Sequence, residues 1–316
     1  MKIDSFSALR RIMGYVDWTP IRYSIYLSKF FERDVYLKLE NFQVTGSFKV
    51  RGIFNKFLKL LEDGREDECF LTVSTGNHGL AFSYAIRVLG LNGRVIVPKN
   101  ITKFKYERIK SLGADVVVLG EDYDEAEEQA KKIALEENCT FVSPYNDLDV
   151  IEGQGTIGVE ILYDLPDVDA VIVPVGGGGL ISGISYVLKN ASDRYKIIGV
   201  QSEASKPMVE SFKCGKLVKV EIRDSVADGL SGNVEEGSIT FDFVKKYVDD
   251  VVAVSENSIL EAMETFYSKE GLIVEGSAAV TLAALMENKV GTLGGSVLLV
   301  LSGGNVDLSK INLVPS

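Results

Sequence analysis

Short β-branched runs at 35–39, 70–73, 95–97, 116–119, 140–142, 171–175, 197–200 and 297–301 recur along the chain. Between them lie stretches whose apolar residues repeat at helical spacing: 77–89, 102–112, 123–136, 153–162, 180–188, 258–267 and 277–287. Runs that are apolar throughout, rather than alternating, belong to strands covered on both faces, which is how a parallel sheet is built. The alternation predicts an α/β chain with mostly parallel twisted sheets flanked by helices. No repeat, low-complexity tract or long Gly/Ser/Pro linker divides the 316 residues, so a division into two lobes meeting at a cleft rests on fold logic. The mixed acidic and basic pattern over 121–137 reads as a solvated helix face and not as a metal site.

Composition narrows the partners. With 34 Lys and Arg against 45 Asp and Glu, the net charge of −11 argues against nucleic acid or an anionic membrane surface, so an anionic ligand has to be held by local design. No window approaches the roughly 18 apolar residues of a membrane span, and the N-terminus lacks a signal-like apolar stretch, which predicts a cytoplasmic chain. Cys69, Cys139 and Cys214 are odd in number and far apart, which fits neither a disulfide framework nor a zinc-ligand spacing and predicts reduced, mostly buried thiols. His78 is the only histidine, which excludes chemistry needing two imidazoles or a His-rich metal site.

The candidate chemistry sits at strand ends, where α/β folds collect ligands. Lys49 follows the turn Gly46-Ser47-Phe48 in the opening turn of a predicted helix, with Ser47 as expected N-cap and Ile53, Phe54, Phe57, Leu58 and Leu61 behind it. Beside a helix N-terminus an ammonium is disfavoured, and a neutral amine or an imine is more easily held. Ser74-Thr75-Gly76-Asn77-His78-Gly79 offers hydroxyls, a carboxamide and helix-end N–H groups to a carboxylate. Gly176-Gly177-Gly178-Gly179-Leu180 lets the backbone wrap a phosphate, since tight-turn packing needs one or two glycines and not four. With Ile181 following, it is not a dinucleotide fingerprint, and it lacks the Lys-Ser/Thr pair of a nucleotide triphosphate loop. Ser302-Gly303-Gly304-Asn305 adds a hydroxyl beside glycines that admit a flat ligand. Taken singly, Lys49 reads as a solvated lysine, and the Ser74 and Ser302 loops as structural turns. Together they offer an imine-forming amine, a phosphate cradle, a carboxylate cradle and a hydroxyl, the set that pyridoxal phosphate and an amino acid require.

These motifs, in this order, resemble the fold-type-II pyridoxal-phosphate enzymes, and within them the threonine/serine dehydratase and serine racemase group. The resemblance starts at Thr19-Pro20, includes Gly153-Gln154-Gly155-Thr156, Ala227-Asp228-Gly229 and Glu275-Gly276-Ser277-Ala278-Ala279, and ends at Asn305. It implies that Lys49 holds the cofactor through an imine and later acts as the base. It further implies that Phe48 lies against the ring, Asn77 bonds its phenolic oxygen, Gly176 to Leu180 bind the phosphate and Ser302 faces the pyridine nitrogen. Ser74, Thr75, Gly76, Asn77 and His78 are implied to hold the carboxylate of a hydroxy amino acid, with Asp228, Ser231 and Gly232 as candidate lining. The implied lobes are a large one, 1–44 and 146–316, and a small one, 45–145, in a homodimer. A serine partner restrains the ring as an electron sink, which suits α,β-elimination to a 2-oxo acid and ammonia. The leaving hydroxyl is expected to take its proton from the cofactor phosphate.

The sequence departs from the group in three places. Thr75 stands where the racemases carry a serine that handles protons on the opposite ring face and where many dehydratases carry alanine; its extra methyl restricts χ1. The expectation is a dehydratase with little racemase activity, with racemisation, or less readily β-replacement or threonine-synthase-like chemistry, as alternatives. Gln201 and Pro207 stand where magnesium-activated racemases carry two carboxylates, so no metal is expected there. With eleven residues after Asn305, no regulatory domain of the kind in biosynthetic threonine dehydratases is expected.

Overall fold

In the computed structural model, which describes residues 1–65, 68–291 and 294–307, ten strands form two sheets. In chain order they are β1 Ile21–Tyr23, β2 Asp34–Lys38, β3 Cys69–Val73, β4 Asn92–Val97, β5 Asp115–Val118, β6 Thr140–Phe141, β7 Ala170–Pro174, β8 Lys196–Ser202, β9 Asp250–Val254 and β10 Ser296–Val300. The larger sheet has the order β1-β2-β10-β7-β8-β9 and the smaller β5-β4-β3-β6. All pairings are parallel except β1 with β2. The eight expected strands are present within about three residues at each end, most of them within two. β1 and β9 were not expected. Both are edge strands of the larger sheet, covered on fewer sides, and so lack the fully apolar run that marks a central parallel strand such as β7.

The helices are α1 Ser5–Ile12, α2 Ile25–Phe31, α3 Lys49–Glu62, α4 Asn77–Leu89, α5 Lys103–Ser111, α6 Tyr123–Glu136, α7 Leu148–Gln154, α8 Thr156–Asp164, α9 Gly179–Ala191, α10 Pro207–Cys214, α11 Ile239–Tyr247, α12 Glu256–Glu270 and α13 Gly276–Met286. Among the described residues no helix is long and apolar enough to cross a membrane. Side-chain caps start α5 at Thr102, α6 at Asp122 and α12 at Ser255. The helix expected over 153–162 is instead two, α7 and α8, broken at Gly155. There the chain crosses α9 so closely that a Cβ on Gly183 would lie 2.4 Å from the Gly155 nitrogen. Ser47 is not the cap of α3. It is drawn into an antiparallel bridge with Gly303 while the Phe48 N–H donates to the Ser302 carbonyl at 3.1 Å.

The cysteine expectation fails. Cys69 and Cys139 form a disulfide and Cys214 is exposed. Distance along the chain misled, because β3 pairs with β6 in the register Phe70↔Thr140, which brings the preceding residues to a Cα separation of 4.8 Å. The residues 308–316 assigned to the large lobe lie outside the described ones.

Behind the junction of the two sheets lies a wholly buried ionic cluster of Lys38, Glu40, Arg51 and Glu160. Arg51 Nε and Nη2 donate to the two oxygens of Glu40 at 2.8 Å each, and its Nη1 and Nη2 reach both oxygens of Glu160. Lys38 bonds Glu160, and the Thr19 hydroxyl bonds Glu40. Burial pushes both carboxyls up, and for Glu40 the cation of Arg51 more than offsets it, holding it below its ordinary value. For Glu160 burial, with the Glu40 charge adding, outweighs the Arg51 and Lys38 cations and leaves it above its ordinary value; its charge still balances the cluster, because protonating it would leave two buried cations facing one anion. Glu160→Gln keeps the shape and removes that balance, so we expect denaturant titration to show a loss of about 3–5 kcal/mol, the usual result of leaving a buried charge unpaired. The same change at solvated Glu136 is expected to cost under about 1 kcal/mol. A wild-type midpoint for Glu160→Gln would show that the cluster does not carry this weight.

Candidate active site

Strand order brings the motifs together. β10 lies beside β7 in the register Leu299↔Ile172, so the loop at Ser302 runs next to the glycine loop that follows β7. β3 lies beside β6, so the Ser74 loop runs next to 143–146. These ends open into one cleft of about 2340 Å³. Phe48 and Lys49, the run 74–78, the loop 176–180 and Ser302 all line it, as do Asp228, Ser231 and Gly232.

Lys49 is the first residue of α3, half-buried, and its Nζ donates to the Pro144 carbonyl at 2.9 Å. Its amine lies 5.2 Å from the centre of the Phe48 ring. Burial pushes the amine down to about 8, against the raising effect of the Glu275 charge. Desolvation is thus the dominant cause where the helix terminus alone was expected to act.

The glycine loop answers to packing as well as to any ligand. A Cβ on Gly177 would lie 2.4 Å from the Tyr145 ring, one on Gly179 3.1 Å from the Tyr145 Cα, and Gly178 has φ +92°. Thr240 Oγ1 donates to the Gly177 carbonyl at 2.6 Å and steadies the turn. α9 starts here with no side-chain cap, so its first N–H groups are left for an anion. α4 likewise starts without a side-chain cap at Gly76. Ser74 Oγ accepts from the Gly76 N–H at 3.1 Å within its own loop. Thr75, Gly76 and Asn77 are half-buried at the cleft.

His78 faces the other way. Its Nε2 lies 2.8 Å from Thr72 Oγ1 and 3.3 Å from the Val142 carbonyl. Burial and the neighbouring Lys49 charge push it down to about 3, so it is neutral and brings no cation to a carboxylate. What it offers the cleft is its backbone N–H in the first turn of α4.

Gln201 is wholly buried and fully engaged. Its Nε2 donates to the Val175 carbonyl at 3.1 Å, and its Oε1 accepts from the Met208 and Val209 N–H groups at 2.8 and 3.0 Å. Pro207 opens α10. An amide and a helix terminus therefore join the strand below the glycine loop to α10.

Two site residues were missed in the sequence. Tyr145, whose ring lies over the glycine loop, follows a strand end just as the other three loops do, and the same strand-end rule would have found it. Glu275 was read only as part of a motif. It accepts from Asn77 Nδ2 at 2.7 Å, and burial, with Asp228 adding, pushes it up to about 7.

Comparison with known proteins gives the chain a family and relatives. The family of pyridoxal-phosphate dependent enzymes matches residues 12–303. The chain is 40% identical over 311 residues to an L-threonine ammonia-lyase of Thermotoga maritima, covering 98% of this chain and 77% of that one. It is 37% identical over 313 residues to the catabolic L-threonine dehydratase of Escherichia coli K12, covering 98% and 94%. The structure of maize serine racemase superposes with a TM-score of 0.93 at 30% identity, covering 98% and 96%.

The lowered amine has a direct readout. In cofactor-free protein, labelling of Lys49 by an amine-reactive reagent, quantified by peptide mass spectrometry, is expected to rise with a midpoint near pH 8. Solvated lysines titrate near about 10.4. A midpoint for Lys49 in that higher range would overturn the assignment of a desolvated amine.

Proposed function

The chain belongs to the pyridoxal-phosphate dependent enzymes, and we propose that within them it is an L-threonine/L-serine ammonia-lyase giving a 2-oxo acid and ammonia. The observation that carries the reaction class is the Lys49 amine, pushed down to about 8, at the meeting point of four strand-end loops. The residues present fit the cofactor: an amine able to form an imine, an uncapped helix terminus behind a glycine turn, and a hydroxyl at Ser302. When bound, pyridoxal phosphate supplies an electron sink for the electrons left at Cα.

In this reading the N–H groups at 176–180 hold the phosphate, Phe48 packs on the ring, Asn77 bonds its phenolic oxygen and Ser302 meets the ring nitrogen. The first-turn N–H groups of α4, with Thr75, hold the substrate carboxylate. Lys49, partly neutral near pH 7, accepts the α-proton, and the Pro144 carbonyl holds its Nζ in place. His78 is neutral and engaged elsewhere, so Lys49 is the only strong base assigned. The Thr75 hydroxyl favours one second reading, racemisation, in which it would handle a proton on the opposite face.

We divide the chain into a small lobe, 45–145, and a large one on either side, because β3 to β6 lie within the first span and all other strands outside it. We also propose a homodimer, supported by the exposed aromatic and aliphatic face of α2, where Ile25 is 78% and Phe30 64% exposed; the Cys69–Cys139 disulfide weighs against the cytoplasmic location read from the sequence, since such bonds are rare in that compartment.

Purified protein is expected to yield 2-oxobutyrate from L-threonine and pyruvate from L-serine, with Lys49→Ala lowering kcat by at least about 10²- to 10⁴-fold, the usual weight of a general base. Sustained D-serine formation at rates near pyruvate formation would move the assignment to the racemase. Chelator-treated enzyme is expected to show no saturable activation by magnesium, since Gln201 offers no carboxylate; such activation would overturn that reading. Sedimentation is expected to give two protomers per particle at micromolar concentration, and single protomers would refute the dimer.

A further inference from the structure

One motif glycine, Gly303, and the residues Asn77 and Asn305 converge on Glu275, a carboxyl that no step above uses. Asn77 is pinned at both ends of its side chain: Oδ1 accepts from Asn305 Nδ2 at 2.7 Å, and Nδ2 donates to Glu275 Oε1 at 2.7 Å. Asn305 is pinned in turn, its Oδ1 accepting from Arg108 Nη2 at 2.7 Å and its Nδ2 donating to the Thr45 carbonyl at 2.8 Å. A guanidinium only donates, and that alone dictates the sense of both amides: Arg108 fixes Asn305 Oδ1 as an acceptor, Asn305 Nδ2 then donates to Asn77 Oδ1, and Asn77 Nδ2 is left to donate to Glu275. Turning either amide over would set donor against donor or acceptor against acceptor. One N–H of Asn77 is left without a partner among the described residues, on a side chain that lines the cleft.

The backbone is shaped to admit this chain. A Cβ on Gly303 would lie 2.7 Å from Glu275 Oε1 and 3.1 Å from Asn77 Nδ2. A Cβ on Gly46, where φ is +74°, would lie 2.5 Å from Asn305 Oδ1. The glycines of two separate motifs therefore make room for these side chains, and the Asn305 backbone N–H also bonds the Glu275 carboxyl.

We propose that Glu275 is a positioning residue: by accepting from Asn77, with Asn305 behind, it fixes the carboxamide so that its remaining N–H is presented to an oxygen on the bound cofactor ring. This rests on the cofactor reading above. The contact, not the charge, is what matters, because Asn77 needs an acceptor at one distance and any oxygen placed there serves.

Two conservative substitutions separate contact from charge. Glu275→Gln keeps an oxygen at the same reach and removes the charge; Glu275→Asp keeps the charge and withdraws the oxygen by one methylene. Binding of pyridoxal phosphate to the apoprotein, read by fluorescence titration, is expected to weaken about tenfold in Glu275→Asp and by less than about threefold in Glu275→Gln, in line with the loss or retention of one hydrogen bond to an oxygen at that reach. In an Asn77→Ala background, Glu275→Asp is expected to cause no further loss, because the two act as one unit. Losses that multiply in the double variant, a Glu275→Gln variant as weak as Glu275→Asp, or wild-type affinity in Glu275→Asp would each overturn the proposal. Melting temperatures of all variants identify any that misfold, and the Gln variant in the Asn77→Ala background then carries the comparison. Wild-type protein that forms no borohydride-reducible bond at Lys49 would instead sink the cofactor reading, so the two failures are told apart.

Discussion

The Arg51 guanidinium decides where Lys49 stands. Two positions along α3 from the amine, its five N–H donors are spread over Glu40, Glu160, Thr156, the Thr19 hydroxyl and the Asp17 carbonyl. These partners come from the turn after β2, from α8 and from the segment before β1, so the helix that carries the amine is tied to the side of the molecule that carries the glycine loop. Buried ions repay little of what their desolvation costs, and replacing the whole cluster by apolar groups need not destabilise the fold. What the cluster supplies is selectivity of position. A fork with fixed geometry accepts one register of α3, and a shift of one residue would leave Glu40 and the Arg51 guanidinium unmatched in the interior while Lys38 keeps Glu160.

The two lysines near this junction show how position becomes chemistry. Lys38 ends β2 with the Glu160 carboxylate and the Thr19 carbonyl in hydrogen-bond contact. Lys49 ends its reach on a lone backbone carbonyl, that of Pro144, with Glu275 acting only at a distance. Burial without a carboxylate partner favours the neutral amine, and that is the form able to attack an aldehyde or accept a proton. One residue type therefore serves as structure in one place and, in the proposed reading, as a reactive group eleven residues further along, according to the acceptor provided.

Much of this was legible because it is written in local pattern. The parallel strands are apolar on both faces, and α4 and α6 begin and end at the residues their periodicity marks. The rule that ligands gather at the carboxyl ends of such strands then placed Lys49, Asn77, Gly176 and Ser302 in one cleft. What was not legible is contact between segments far apart in sequence. Cys69 and Cys139 meet because two strands 70 residues apart are neighbours, and no spacing rule encodes that. The four glycines looked like a device for phosphate alone, yet Tyr145 and Thr240, reaching in from other segments, each require some of them to be bare. His78 looked like a cleft residue by its place in the motif, but β3 and the residue after β6 supply partners that turn its ring inward.

That inward turn of His78 bears on which reaction the cleft runs. Moving a proton to the opposite face of the substrate takes a hydroxyl that can give up its own proton and recover it, and the natural helper is a neighbouring imidazole. Here the one imidazole is neutral, with Nε2 committed to Thr72 and the Val142 carbonyl. Thr75 keeps its hydroxyl but carries a β-methyl that limits its rotamers, so it is less free than serine to swing towards a reacting atom. Lys49 has no such handicap: its amine titrates near 8, close to the pH at which a base of that kind is most effective. In the proposed reading the proton traffic is one-sided, with Lys49 as the base on one face and a hindered Thr75 hydroxyl on the other. One-sided traffic removes an α-proton and lets the β-hydroxyl leave, which is elimination, and it is slow at returning a proton from the far side.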